Sequence, residues 1–348
     1  MYHVGLDVHK NRSSLAILDE NGAMFKRMEV KGTWSALLTE MATIPRPFAV
    51  CYEASCGYGY LHDQLQSLAH RVAVAHPGRL RLIFRSKKKN DRVDAGKLAK
   101  LLYLDEVPPV HVPGADVRAW RGLIEYRRKL LRSGTAAKNQ VRALLRGLGI
   151  SAVKRLWTGA GRRWLLEQSL SPQDHLRLEI MLDELAGLKK KNQRVEKELA
   201  AIAAKHPGVF LLRSIPGVGI RTAEAFVAYV DDVSRFARVD RVGSYFGMVP
   251  CQDASAERNR LGHITREGPS CVRALACEAA WQGVRRSPTL RAFFQRVMRK
   301  DPDRKKIALV ATAHHLLKVM AAMLRTGEMW RESVVESPKP DGGCAAGD

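Results

Sequence analysis

The chain has 348 residues, enough for two or three domains, and its 46% hydrophobic content is typical of a soluble globular protein. Lys and Arg number 58 against 35 Asp and Glu, which gives a net charge of +23, and the excess is present in each of the regions 1–112, 113–205 and 206–348. This distribution excludes a single basic tail or one membrane patch as its source. It favours a long polyanion, most often nucleic acid, as the partner.

Composition also argues against a membrane-spanning or secreted protein and against a protein stabilised by disulfides or zinc. No apolar run approaches the roughly 18 residues of a spanning helix, and the stretch MYHVGLDVHK lacks the apolar segment of a signal peptide, so we expect a cytoplasmic protein. The six cysteines form no CxxC pair, and no histidine pair has zinc spacing. A disulfide framework and a zinc site are therefore not expected.

The first part of the chain predicts an α/β domain over residues 1–112. Alternating apolar residues at 2–8, 14–18 and 23–30, with a turn at Asn21-Gly22, predict a three-stranded meander. The elements that follow are a helix (33–43), a strand (48–54), a helix (59–70), a strand (72–77) and a helix from about 92 to 104. This order is typical of a ribonuclease-H-like (RuvC-like) domain, where ligands bind outside the strand ends.

Four acids of this domain are candidate metal ligands. Asp7 lies in the first strand among apolar residues, Glu53 ends the strand FAVCYEA, and Asp91 and Asp94 share one face of a helix start. Oxygen ligands without His or Cys favour Mg²⁺, or Mn²⁺, over zinc. Salt bridges to Lys97 and Lys100 remain the alternative for the helix pair, and capping or salt-bridging would explain each acid singly.

The region 113–205 predicts basic helices with a coiled-coil heptad. Its apolar positions, with one polar residue among them, are Leu178, Met181, Leu185, Leu188, Asn192, Val195, Leu199 and Ile202. With Leu178 at position a, a parallel homodimer would pair Glu184 with Lys189 and Lys191 with Glu196. The alternative is an intramolecular antiparallel hairpin packed on the helix near 115–147.

The region 206–330 predicts a third, mainly helical unit, followed by a disordered tail at 331–348. Helices are expected near 222–230, 270–283, 288–299 and 304–325. The stretch LLRSIPGVGIRTAEAF (211–226) resembles a helix-hairpin-helix element, which would bind a DNA backbone through the following phosphate-facing residues: Arg213, Gly217, Gly219 and Arg221. An ordinary helix-helix turn is the alternative. Residues 247–268 are expected to form a polar loop containing Ser255, Arg258, Arg260 and Arg266.

Several motifs together resemble the insertion-sequence-110 family of DEDD transposases, the bridge-RNA-guided recombinases. They are GLDVHK, SSLAILDENG, YEASCGYGY, KNDRVDAGKLAKLL, IPGVG, GMVP, RLGHIT and ALACEAAW, in the family's order over about residues 3–326. The resemblance implies that Asp7, Glu53, Asp91 and Asp94 are the metal-binding acids and that Ser255 is the nucleophile. The family usually has a glycine or two after that serine, where this chain has Ala256 and Glu257.

The resemblance also implies partners: donor and target DNA, a noncoding guide RNA, and a second copy of the chain joined through the coiled coil. Sequence choice would then lie in the RNA, which agrees with the diffuse charge and the few aromatic clusters. Lys87, Lys88 and Lys89 are expected to steer a phosphate backbone toward the acids, and Arg258 or Arg260 to hold the phosphate.

The sequence leads to one principal hypothesis and three alternatives. The hypothesis is a bacterial, nucleoid-associated recombinase in which Ser255 attacks a DNA phosphate with Mg²⁺ assistance and forms a covalent intermediate. The alternatives are a junction-resolvase-type nuclease that uses water, a sugar-kinase-like ATPase, and a non-catalytic RNA-binding module. The sugar-kinase alternative lacks a second glycine-rich phosphate loop and leaves the charge of +23 unexplained.

Overall fold

A computed structural model describes residues 1–55, 57–83, 91–255 and 258–332. Within it the chain divides into two compact units, Met1–Arg118 and the part from Ala119 onward. The predicted boundary between 112 and 113 lies close to this division. The predicted boundary between 205 and 206 falls inside the second unit, because Trp120, Leu199 and Val209 belong to one hydrophobic core.

The first unit is a five-stranded mixed sheet with helices on both faces. Its elements are β1 (Tyr2–Val8), β2 (Arg12–Leu18), β3 (Met24–Lys31), α1 (Trp34–Met41), β4 (Phe48–Glu53), α2 (Tyr58–Leu65), β5 (Arg71–Ala75), α3 (Pro77–Ile83) and α4 (Asp91–Tyr103). The strand order is β3-β2-β1-β4-β5; the first three strands are antiparallel, and β4 and β5 run parallel to β1 and to each other. The meander is confirmed, and the arrangement is compatible with a ribonuclease-H-like domain. Helix α3 was not predicted.

The two faces of this sheet are covered by different helices. Val4, Leu6 and Tyr52 pack in one core with residues of α1 and α2. On the opposite face Cys51 packs with residues of α4. Gly5 lies on that second face, where a Cβ atom would stand 2.1 Å from the backbone oxygen of Ala95, so only glycine lets α4 lie directly on β1.

The second unit is helical apart from one β-hairpin. Its elements are α5 (Ala115–Gly147), which begins in the first unit, α6 (Gly159–Leu166), α7 (Pro172–Ala204), α8 (Pro207–Leu212), α9 (Ile220–Val230), α10 (Arg241–Tyr245), β6 (Pro250–Ser255), β7 (Arg258–Ile264), α11 (Ser270–Arg286), α12 (Pro288–Met298) and α13 (Lys305–Thr326). The expected helices of this region are confirmed, but the polar loop predicted at 247–268 is wrong. It contains the antiparallel pair β6–β7, which its polar composition did not indicate.

The long helices α5 and α7 pack against each other antiparallel within one chain. Leu178, near the start of α7, shares a core with Val141 near the end of α5. At the other end Leu199 shares a core with Trp120. Among the heptad positions, Leu178, Leu185 and Leu199 are buried, whereas Met181, Leu188, Val195 and Ile202 are half-buried. The intramolecular alternative thus accounts for the buried part of the heptad, and the homodimer stays a prediction.

Helix α13 is long and apolar enough to cross a membrane by length and composition. The expectation that no segment meets that description is therefore wrong. Leu316, Leu317 and Met320 of this helix are fully buried in the core of the second unit. Its apolar character follows from packing against α11 and α12.

Candidate active site

Asp7 and Glu53 lie side by side at one edge of the sheet. Strands β1 and β4 are parallel, and Leu6 is paired with Tyr52, so the next residue of each strand is one of the two acids. Side chains alternate along a strand; Asp7 therefore lies on the face of Gly5, and Glu53 on the face of Cys51. This is the face that α4 covers.

The start of α4 is directed toward the same edge. The His3 and Tyr103 rings are 5.3 Å apart, and Gly5 contacts the helix between Ala95 and Ala99. Residues later in β1 thus contact residues earlier in α4, so α4 runs antiparallel to β1. Asp94 is consequently brought to the end of the sheet at which Asp7 lies. Asp91 begins the same helix, and its side chain lies outside the described part of the structure.

Basic side chains accompany two of these carboxylates. The Oδ2 atom of Asp7 is 3.4 Å from the Nε2 atom of His9, and the Nζ atom of Lys97 donates to Oδ1 of Asp94 at 3.1 Å. The salt bridge proposed for Asp94 as an alternative is thus present. Among the described residues no three His, Cys, Asp or Glu side chains form a group that could hold a metal ion. The donor set at this edge is nevertheless oxygen-rich, which suits Mg²⁺ or Mn²⁺.

Ser255 lies at the tip of the β6–β7 hairpin in the second unit. It is the last residue of β6 and is paired with Arg258, while Asp253 is paired with Arg260. Both predicted arginines therefore lie on the strand facing the serine strand; the side chains of residues 253–261, and all of 256–257, are outside the described part of the structure.

The base of this hairpin is held by two glycines and an arginine. Gly247 and Gly268 have φ values of +61° and +67°, and a Cβ atom at either would stand about 2 Å from a backbone oxygen. The Nη1 atom of Arg273 donates to the carbonyl oxygens of Phe246, Glu267 and Gly268, the first and last at 3.1 and 3.0 Å. Sequence reasoning missed Arg273, because nothing local distinguishes it from the other arginines.

The predicted helix-hairpin-helix stretch contains a short helix α8, a turn and α9. Gly217, with φ of +96°, packs against α11: a Cβ atom there would stand 2.4 Å from the backbone nitrogen of Gly283. Gly219 is the exposed N-cap of α9, and Arg213 is exposed beside the turn. The need for glycine at 217 is therefore explained by helix packing, and phosphate binding at this turn stays a prediction.

Arg221 forms hydrogen bonds with partners inside the second unit. Its Nη1 atom donates to Oε2 of Glu224 at 2.8 Å, and its Nη2 atom donates to the carbonyl oxygen of Glu196 at 3.2 Å. Glu224 is 1% exposed, and burial raises its pKa although Arg221 opposes the shift. Burial acts to raise the pKa of Glu196 as well, but hydrogen bonds from Arg127 and Asn192 lower it overall. These contacts give Arg221 a structural role, and its predicted phosphate contact is untested.

Three parts of the sequence prediction lie outside the described residues. Lys87, Lys88 and Lys89 fall in 84–90, and most of the predicted tail falls in 333–348. Cys56 of the YEASCGYGY motif is also outside.

Comparison with known proteins identifies the family. A profile described as "Transposase IS116/IS110/IS902 family" matches residues 210–295, and a DEDD transposase profile of IS110 elements, described as "Transposase", matches residues 4–150. The chain is 32% identical to an inferred transposase, y4qE, of Sinorhizobium fredii over 80% of this chain and 70% of that protein.

Two further relatives are named for mobile elements. The transposase for insertion sequence element IS1111A of Coxiella burnetii is 26% identical over 80% of this chain and 76% of its own length. The transposase for element IS1328 of Yersinia enterocolitica is 26% identical over 80% and 82%. The two profiles and these relatives show that the chain belongs to the IS110/IS116/IS902 family of insertion-sequence transposases.

Proposed function

We propose that this transposase cuts and rejoins DNA by attack of Ser255 on a phosphate, assisted by a divalent metal ion and guided by a noncoding RNA. The observation that carries the proposal is the convergence of Asp7, Glu53 and the start of α4 on one face and one edge of the sheet. Carboxylates placed together in this way repel one another unless cations neutralise them, and a divalent ion does so most effectively.

The carboxylates supply what a hard divalent ion requires. Asp7, Glu53, Asp91 and Asp94 would hold Mg²⁺, or Mn²⁺, because their donors are all oxygen atoms. His9 and Lys97 contact Asp7 and Asp94, so these two side chains would release the carboxylates when an ion is bound. When bound, the ion would neutralise charge on the scissile phosphate.

Ser255 is proposed as the nucleophile from the resemblance to the family, and it lies at the tip of the β6–β7 hairpin. The serine oxygen would form a bond to phosphorus, and the displaced strand oxygen would leave as a hydroxyl after gaining a proton. The phosphodiester energy is then kept in a serine–DNA bond and allows rejoining without ATP. Arg258 and Arg260 on β7 are proposed to hold the phosphate.

The partners proposed for this reaction are nucleic acids and a second copy of the chain. The net charge of +23, with Arg213 and Gly219 exposed at the turn before α9, supports contact with phosphate backbones. Dimerisation through α7 is proposed from the resemblance to the family, since half-buried Met181, Val195 and Ile202 pack against cores of their own chain. The guide RNA, which would choose the DNA sites, is proposed from the resemblance to the family alone.

The serine step is tested with the full-length protein, its element's DNA and the cognate RNA. Wild type is expected to form protein-linked DNA, and Ser255→Ala to form none. Ser244 and Ser270 are the alternative nucleophiles. Ser270→Ala is the matched comparison: its hydroxyl accepts a hydrogen bond from Arg128 at 2.8 Å, and the variant should retain the adduct if Ser255 is the nucleophile. Equal cleavage by wild type and Ser255→Ala would establish the water-using nuclease instead, an alternative that the transposase relatives do not favour.

A further inference from the structure

Two aromatic rings stack at the surface of the first unit, outside the site described above. The rings of Trp34 and Tyr60 have centroids 5.8 Å apart and planes 22° from parallel. The indole is backed by Gly57, where a Cβ atom would stand 1.9 Å from the Trp34 ring. Tyr60 covers the other side and is itself 51% exposed. The indole thus lies between Gly57 and Tyr60, and the phenol ring remains open to solvent.

This aromatic pair lies at the same edge of the sheet as the carboxylates. Trp34 follows the end of β3, and Lys31 at that end pairs with Arg12 at the start of β2, next to the end of β1. Tyr60 lies in the first turn of α2, which follows Glu53, and the Tyr52 hydroxyl donates to the carbonyl oxygen of Tyr58 at 2.7 Å. The acids face α4, whereas the rings lie on the α1 and α2 side of that edge.

Exposed cations share this edge of the sheet with the pair. Lys10, Arg12 and Lys31 are exposed at this edge of the sheet. A strand of nucleic acid drawn to these cations presents bases as well as phosphates, and an unpaired base has an apolar face that stacks on aromatic rings. In a purely structural role, Tyr60 would shield Trp34, which any apolar side chain of similar size would do.

We infer that Tyr60, supported by Trp34, is a stacking site for an unpaired nucleobase of a nucleic-acid strand bound at the edge of the sheet where the carboxylates lie. The inference rests on the proposed function for the choice of ligand and adds to it a contact made by a base. Stacking on one ring does not discriminate among bases, so the site would hold an extruded nucleotide in place without reading its identity. The strand is DNA or RNA, and both present the same face.

The test is binding by the full-length protein to fluorescent oligonucleotides, measured by anisotropy. Tyr60→Leu keeps apolar cover over Trp34 but removes the π face, and Tyr60→Phe keeps the ring. We expect Tyr60→Leu to weaken single-strand binding roughly 5- to 100-fold and to leave duplex binding unchanged, with Tyr60→Phe like wild type. Separate DNA and RNA oligonucleotides show which strand uses the site.

Phe25→Leu is the matched control. Phe25 is also 51% exposed and contacts the Tyr2 ring, but it lies at the start of β3, at the opposite edge of the sheet. Phe25→Leu should bind single-stranded oligonucleotides as tightly as wild type does. The inference would be overturned if Tyr60→Leu bound single-stranded DNA and RNA as tightly as wild type. It would also be overturned if Tyr60→Leu lost duplex affinity as strongly as single-strand affinity, or if Phe25→Leu lost as much single-strand affinity as Tyr60→Leu. Since the readout is binding, a failure of serine attack leaves this result interpretable, and Asp94→Asn tests cleavage separately.

Discussion

Gly5 sets the distance between β1 and the helix that carries Asp91 and Asp94. A Cβ atom at this position would stand 2.1 Å from the oxygen of Ala95 and 2.4 Å from the nitrogen of Ala99. Both are backbone atoms, so no side chain can turn aside to make room. We predict that Gly5→Ala destabilises the protein by about 1–3 kcal/mol and displaces α4 enough to lower DNA cleavage strongly. Urea unfolding and a cleavage assay measure the two effects.

Gly96→Ala provides the matched control for this change. Gly96 lies on the same helix, where the nearest atom to an added Cβ is Arg27 Nη2 at 3.6 Å. Alanine should be neutral or stabilise α4 by up to about 1 kcal/mol through its higher helix propensity. Equal behaviour of the two variants would show that α4 does not depend on close approach to β1.

The ion pair of Arg221 with buried Glu224 should contribute to the pH dependence of the second unit's stability. Burial raises the pKa of Glu224, so this carboxyl stabilises the fold when protonated and loses that contribution as pH rises through its folded-state pKa. We predict that Arg221→Met costs about 3–5 kcal/mol near neutral pH, because it leaves the carboxylate buried and alone. The difference in unfolding free energy between Arg221→Met and wild type should become smaller as pH falls.

A double-mutant cycle separates this pair from simple loss of packing. Glu224→Gln removes the charge that requires Arg221, so the double variant with Arg221→Met should recover most of the stability that the single change loses. Urea unfolding of wild type, the two single variants and the double variant, at neutral and acidic pH, measures the cycle. Additive losses at every pH would contradict the coupling.

At the scale of elements, the α5–α7 hairpin should depend on the buried heptad positions. Leu178 is fully buried against α5, whereas Leu176, two residues earlier on α7, is 57% exposed. We predict that Leu178→Ala costs about 2–5 kcal/mol of unfolding free energy and that Leu176→Ala changes it little. The comparison is made by urea unfolding. A large loss from Leu176→Ala would instead place that face of α7 in a contact with another chain.

Elements differ in how well their sequence predicts them. The meander and the long helices follow from apolar periodicity, which is local, and were predicted close to their observed bounds. The β6–β7 hairpin was missed because its polar strands carry no alternation, and its base depends on Gly247, Gly268 and Arg273, which meet only in the folded chain. Tyr60 and Trp34 were missed for the same reason, since they are 26 positions apart in the sequence.

For the whole molecule, the charge of +23 predicts nucleic-acid binding that weakens steeply with salt. Changing Lys87, Lys88 and Lys89 to Gln should weaken binding and reduce the slope of log Kd against log salt by up to about 3. Asp94→Asn should keep the slope and stop cleavage. Titrations by anisotropy at several salt concentrations measure the slope.

Lys189, Lys190 and Lys191, exposed on α7, form the matched control for this charge change. Their neutralisation removes the same charge far along the chain from the acids. If both triple variants reduced the slope equally, the effect would be one of net charge alone. If the lysine variant at 87–89 and Asp94→Asn changed binding and cleavage in the same way, the proposal that the lysines steer nucleic acid while Asp94 serves cleavage would be contradicted.

The sequence by itself determined the class of partner and the order of elements and predicted the four acids, because charge, periodicity and residue type are local properties. Only the tertiary structure decided that Asp7 lies beside Glu53, since this follows from the register of β1 and β4, and that Gly5 brings α4 to the same edge. It also decided that α7 packs on α5 of its own chain and that Arg221 binds Glu224. These contacts join residues far apart in sequence, and the free energy that selects them comes from the packed core as a whole.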